Sequence, residues 1–205
     1  MKLNAFNKHK GWIEAICGPM CAGKSEELLR RINRFKYADI SYLLFKPKLD
    51  TRSKGSVKSR DGRVINAIEI TSSMDIINHL KSEKECDRTY DAIAIDEAQF
   101  LDEDLGAVCD SLANKGYVVY VAGLDLDFRG EPFKPISSVL SYADIVTKLT
   151  AICTICGADA NRTQRLINGK SAKYDDPLIV VGDTDAYEAR CRAHHEIIGK
   201  KKVIK

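Results

Sequence analysis

No stretch of this chain approaches the run of about 18 apolar residues that a membrane-spanning helix needs, so no membrane-embedded function is expected. The opening MKLNAFNKHKGW carries basic residues but no apolar segment behind them, which excludes a secretory signal of the usual form. Charge of one sign is also scarce. The formal net charge is +3, too small to indicate a nucleic-acid partner by itself. An even, paired set of cysteines is missing as well: there are seven, of which Cys17, Cys21, Cys86 and Cys109 stand alone. That pattern fits a reducing compartment better than a disulfide framework, so a cytoplasmic location is expected. There are no internal repeats and no low-complexity tract except the lysine-rich end at Lys200–Lys205.

What remains is an ordinary globular composition, 44% hydrophobic and 30% charged over 205 residues, enough for one full domain or a core with a small appendage. WIEAIC (12–17) reads as a short strand running into a glycine turn. From Ser25 to about Tyr37 the spacing of Leu28, Leu29, Ile32 and Phe35 predicts an amphipathic helix. ISYLLF (40–45) has strand character, residues 47–63 read as a polar loop, and a weak strand is expected near Val64–Ile70. A helix follows from Ser72 or Ser73 to about Ser82, then a buried strand over 90–96 that ends in acid. An amphipathic helix over 103–115 precedes the most strand-like run, YVVYVAGL (117–124). Pro132 and Pro135 mark an irregular connection, a short helix is expected over 137–143, and one more strand over 144–152. Strands alternating with helices predict βαβ units and a mostly parallel α/β sheet with helices on both faces. After Cys153 only short strands, glycines and polar loops are legible, which places a domain boundary near residue 150.

Three constellations carry chemistry. Gly18-Pro19-Met20-Cys21-Ala22-Gly23-Lys24-Ser25 satisfies G-x-x-x-x-G-K-[ST] between a strand and a helix, the context of a phosphate-binding loop. Its glycines let successive N–H groups face phosphate oxygens, the helix N-terminus adds positive potential, Lys24 supplies a full charge and Ser25 a hydroxyl for Mg²⁺. In Ala92–Phe100 an apolar strand delivers Asp96 and Glu97 at its C-terminal end, where open α/β sheets bind ligands. Asp96 is then placed to hold Mg²⁺, leaving Glu97 to act as a base. Cys153-Thr154-Ile155-Cys156-Gly157 with Cys191-Arg192-Ala193-His194-His195 gives C-x₂-C … C-x₂-H, a closed structural Zn²⁺ set. His195 would give C-x₃-H instead; the tighter spacing favours His194.

Together with KLDTR (48–52), VAGLDLDFRGEPF (121–133), CTICGADANRTQR (153–165) and YEARC (187–191), these residues resemble the thymidine kinase family of the type found in animal cytosol and many bacteria. The resemblance runs from about Trp12 to His195 and implies a P-loop (RecA-like) nucleotide-binding domain, 1–150, and a small zinc-ribbon-like domain carrying a lasso loop, 151–205. It implies an ATP- and Mg²⁺-dependent transfer to the 5′-hydroxyl of thymidine and also of deoxyuridine. Gly18–Ser25 would cradle the triphosphate, with Asp96, Glu97, Ala98 and Gln99 lining its other side and Asp50, Thr51 and Arg52 closing over it. Glu97 would be the general base. Phe128 and Tyr187 would pack around the nucleoside, Met20, Leu124 and Thr163 would lie near the thymine methyl, and Leu178, Ile179, Val180, Val181 and Gly182 would form the lasso. A homotetramer and feedback inhibition by thymidine triphosphate are implied too, with no nucleic-acid or membrane partner. His194 departs from the pattern, since the family commonly has cysteine there. Two other classes stay open at this stage. An Asp-Glu-Ala-Gln motor acting on nucleic acid would need a second lobe, and a non-catalytic zinc-ribbon module would bind ATP without turnover.

Overall fold

The computed structural model describes residues 11–50, 55–58, 64–178 and 185–201. Six parallel strands form the central sheet, in the order β5-β2-β6-β7-β1-β8. They are β1 Trp12–Cys17, β2 Tyr42–Pro47, β5 Ile68–Ile70, β6 Ala92–Ile95, β7 Val118–Gly123 and β8 Ile145–Lys148. β7 lies between the strand that enters the phosphate loop and the strand that ends in Asp96. It pairs Cys17 with Gly123 on one side and Ile95 with Val121 on the other.

Alternation along these strands divides the core between two faces. Ile13, Ala15 and Cys17, with Ile93, Ile95, Val119 and Val121, face α2 (Met74–Glu85), α3 (Leu105–Asn114) and α4 (Lys134–Tyr142). Ile16, Ala92, Ala94, Tyr120 and Ala122 face α1 (Lys24–Ala38). α1 forms where its apolar positions predict, with Glu26 and Glu27 in the first turn, where the helix dipole favours acid. Asp39, in the left-handed region, ends it by donating its N–H to Phe35 O. Leu28, Leu29, Ile32 and Phe35 are buried, each worth about 1.5–3 kcal/mol against exposure. An aspartate at Ile32 would break this face. Arg31 ties the helix to the sheet, with Nη1 2.5 Å from Glu14 and Nη2 2.7 Å from Thr147 Oγ1.

Several boundaries differ from the sequence expectation. The segment read as a polar loop with almost nothing to bury holds β3 (Ser56–Lys58), antiparallel to β4 (Val64–Asn66). Val57 in it packs against the α1 side of the sheet with 3% exposure. The weak strand at Val64–Ile70 is two strands, because β4 joins this hairpin and β5 the main sheet; Ala67 between them donates to Gly55 O. Pro135 sits in the first turn of α4 and starts it at Lys134, three residues early, since proline's fixed φ suits a helix start. The last expected strand also divides. β8 closes the sheet edge, and β9 (Ala151–Ile152) pairs with β10 (Asp159–Ala160). A separate antiparallel sheet, β12-β11-β13, follows from Lys170–Ser171, Arg162–Ile167 and Asp185–Arg190. Among the described residues no helix is long and apolar enough to cross a membrane.

Candidate active site

The phosphate loop leaves β1 at Gly18, whose φ is 144°. A Cβ there would lie 2.4 Å from Leu149 O, so both the backbone angle and the space require glycine. Cys21 and Gly23 also have positive φ, at 66° and 80°. Lys24 is buried and folds back, donating to Pro19 O at 2.7 Å. The loop is seated from the far side by Thr163 of β11, whose Oγ1 accepts the Met20 N–H at 3.0 Å.

Asp96 stands just past β6, 4% exposed, and its Oδ1 accepts the Glu97 N–H at 2.9 Å. Burial, followed by the charge of Glu97, pushes its carboxyl up to about 7; a Ser25 hydrogen bond, the Glu97 amide and Lys24 pull the other way. A buried carboxylate so disfavoured, beside a hydroxyl and at the mouth of the loop, has the donor set that a hard divalent cation takes. Glu97 itself is left-handed, φ 49° and ψ 36°, at the start of the short 3₁₀ turn Ala98–Phe100. Gln99 is 4% exposed and fixes it twice over: its Nε2 donates to Glu97 Oε2 at 2.6 Å, and its Oε1 accepts the Leu124 N–H at 3.0 Å. The expected base is therefore tethered to the end of β7.

Asp50 is not open to solvent. It is 7% exposed and lies 3.0 Å from the Nζ of Lys46, itself 1% exposed, and Lys46 also reaches Ser56 O at 3.4 Å. Thr51 and Arg52 lie outside the described residues, as do Ile179, Val180, Val181 and Gly182. Leu178, at the edge of that second segment, is 37% exposed.

Phe128 is buried, with the guanidinium carbons of Arg129 and Arg165 each 5.2 Å from its ring centre. Arg129 donates to Asp176 O and Arg165 to Pro177 O, which holds the chain leading to Leu178. Tyr187 of β13 is half-buried and pairs in register with Arg165. Arg129, Arg165 and the fully buried Gln164 were not singled out from the sequence. Their signal was there: two charged residues and an amide inside the quoted blocks, with no helical face to carry them to solvent.

Cys153, Cys156, Cys191 and His194 converge, their ligand atoms all within 4.8 Å of one another. Cys156 Sγ lies 3.9 Å from Cys191 Sγ, and His194 Nδ1 lies 3.3 Å from Cys191 Sγ and 3.7 Å from Cys153 Sγ. Tetrahedral zinc bonds imply about 3.8 Å between sulfurs and about 3.6 Å from nitrogen to sulfur, so the cluster fits that ion. At Cys153 burial opposes ionisation. The amides of Cys191, Ile155 and Cys156 and the His194 ring outweigh it, and the thiol falls to about 5. His195 turns away, its Nε2 donating to Phe128 O at 2.8 Å. A cavity of about 420 Å³ at the opposite end of the strands, beside Trp12 and Val118, involves none of the residues singled out from the sequence.

A family model for thymidine kinase matches residues 11–195. The thymidine kinase of Ureaplasma parvum serovar 3 is 48% identical over 196 residues, covering 96% of this chain and 87% of its own. That of Mycoplasmoides gallisepticum is 48% identical over 197 residues, covering 96% and 86%. Among solved structures, the Legionella pneumophila ATPase DotB is 14% identical with a TM-score of 0.42, covering 78% of this chain and 48% of its own, too slight a likeness to carry weight.

Proposed function

This chain belongs to the thymidine kinase family, and we propose that it transfers the γ-phosphoryl group of ATP to the 5′-hydroxyl of thymidine, giving thymidine monophosphate and ADP for nucleoside salvage. The observation that carries the reading is the tethered acid. Glu97, held by Gln99, stands next to Asp96, and Asp96 lies beside Ser25 of the phosphate loop.

Gly18–Ser25 wraps the phosphates with backbone N–H groups, and Lys24 exchanges its bond to Pro19 O for the β- and γ-oxygens. Ser25 and Asp96 would hold Mg²⁺, which when bound supplies charge neutralisation for the phosphates. Glu97 takes the 5′-hydroxyl proton as the oxygen attacks in line, and Gln99 keeps its carboxylate aimed. Asp50, Thr51 and Arg52 belong to the segment that closes over the phosphates, and Ala98 lies along their other side. Phe128 and Tyr187 wall the nucleoside, with Met20, Leu124 and Thr163 toward the base methyl and Leu178–Gly182 around its polar edge.

The chain divides near residue 150 into a nucleotide-binding part and a lasso-bearing part held by structural zinc on Cys153, Cys156, Cys191 and His194. The distances within that cluster support zinc. A cytoplasmic homotetramer inhibited by thymidine triphosphate completes the reading, with family membership as its support.

The test is ATP consumption with Mg²⁺ and, in turn, thymidine, deoxyuridine, deoxycytidine, deoxyadenosine or no acceptor. Turnover with thymidine, equal or weaker with deoxyuridine and absent with the others is expected. Turnover without an acceptor, or only with DNA, would overturn the reading.

A further inference from the structure

The two adjacent histidines have separate partners. His194 points Nδ1 at Cys191 and Cys153, while the His195 ring passes to the other side of the chain and donates from Nε2 to Phe128 O at 2.8 Å. The same ring also lies close to the Thr163 backbone. Phe128 and Thr163 come from different elements, and Thr163 is the residue whose hydroxyl seats Met20 of the phosphate loop.

Little freedom remains for His195 to do otherwise. Its N–H bonds to Cys191 O at 3.1 Å. The next residue, Glu196, exchanges two hydrogen bonds with buried Gln164, Nε2 to Glu196 O and Glu196 N to Oε1, both at 2.9 Å. The imidazole is therefore fixed between a member of the Cys/His cluster and a pinned backbone.

The loop that receives it is shaped to match. Asp127 Oδ1 accepts the N–H groups of Arg129 and Glu131, at 2.9 and 2.8 Å, and turns the chain tightly at Gly130, where φ is 74°. A Cβ on Gly130 would lie 3.4 Å from His195 Cε1 and 3.6 Å from Arg162 Nε, so this turn both needs the left-handed conformation and packs closely on the ring.

We propose that His195 is a positioning residue for the nucleoside pocket: its hydrogen bond to Phe128 O fixes the wall of that pocket to the Cys/His cluster. The inference rests on the thymidine kinase reading, because it gives Phe128 its role. It separates His195 from the cluster itself, whose ligand atoms come from its neighbours. The cluster acts on substrate binding through His195, since the bonded carbonyl belongs to the same residue as the ring.

Two variants of the full chain test this. His195→Gln places an amide N–H the same number of bonds from Cα, and His195→Met keeps bulk without a donor. For His195→Met, KM for thymidine should rise about three- to tenfold, as loss of one such bond implies. Zinc content, kcat and KM for ATP should stay within about twofold of wild type. His195→Gln should restore KM for thymidine. A general structural role would lower stability without splitting the two KM values, and that outcome overturns the proposal. Loss of zinc in either variant does so too, since it makes His195 a ligand, as does an unchanged KM in His195→Met. If His195→Met does not fold, His195→Gln decides alone: near-native kinetics with zinc retained supports the proposal, and a raised KM for both substrates overturns it. A wild-type chain inactive on thymidine would overturn the parent reading and this one together.

Discussion

The amide of Met20 donates to Thr163 Oγ1 at 3.0 Å, so the phosphate loop and β11 are joined by one side-chain hydrogen bond. Thr163 is 3% exposed, so water cannot replace the lost partner cheaply. Thr163→Val should weaken both ATP and thymidine binding, each by about fivefold. Thr163→Ser should keep the ATP value and lose only thymidine affinity. Steady-state kinetics of the two variants checks this, and an unaffected KM for ATP in the valine variant would contradict it.

Replacing the proposed base tests the chemistry apart from binding. Glu97→Gln should lower kcat by about 10²–10⁴-fold with ATP affinity nearly intact. A variant with full turnover would remove Glu97 from that role.

The buried Lys46–Asp50 pair makes a stability prediction. With 1% and 7% of their side chains exposed, removal of the cation takes this partner from a buried carboxylate, at a cost of about 3–5 kcal/mol. Lys46→Met should show that loss in urea unfolding. Lys46→Met with Asp50→Leu should recover much of it, because the desolvated charge is then gone as well.

Glu27 sets a pH window. The Arg30 hydrogen bond, aided by Arg31 and opposed by burial, holds its carboxyl at about 2, below the ordinary 4.5. A lowered pKa in the folded state means that the contribution is complete above pH 4.5 and drains away as pH falls toward 2. After allowance for solvent screening, Glu27→Gln should cost about 1 kcal/mol at neutral pH. The gap to wild type should close in melts taken stepwise down to pH 2.5 or so.

Zinc removal should act unevenly. A chelator is expected to loosen residues 150–195 first and to reduce thymidine affinity before ATP affinity. Limited proteolysis alongside binding titrations reads both. Survival of both affinities after complete metal removal would contradict the proposal that zinc holds the lasso-bearing part for substrate binding.

Much of this architecture was legible because it depends on short-range periodicity. Leu28, Leu29, Ile32 and Phe35 repeat at helical spacing, and the apolar run Ala92–Ile95 ends abruptly in acid. The motifs were legible for a related reason: a loop that must expose successive N–H groups leaves few choices of residue at Gly18, Gly23 and Lys24. What could not be read arises from distant pairings. Nothing local to Lys46 shows that it will be buried on Asp50, and Val57 in a polar stretch gives no sign of the hairpin that carries it inward. His194 and His195 were separable only weakly by spacing, because their difference lies in which way each ring turns. The division of residues 144–152 between two sheets leaves no mark in the sequence, because both pieces are equally strand-like.

Glu97 occupies a backbone region that suits glycine, at φ 49°. A non-glycine residue there costs about 1–3 kcal/mol. Evolution under heat alone, with no demand for turnover, would therefore push this position toward glycine and yield a sturdier protein without its acid. If Glu97 is the base proposed above, glutamate in so unfavourable a seat marks a place where durability and usefulness pull the chain in opposite directions.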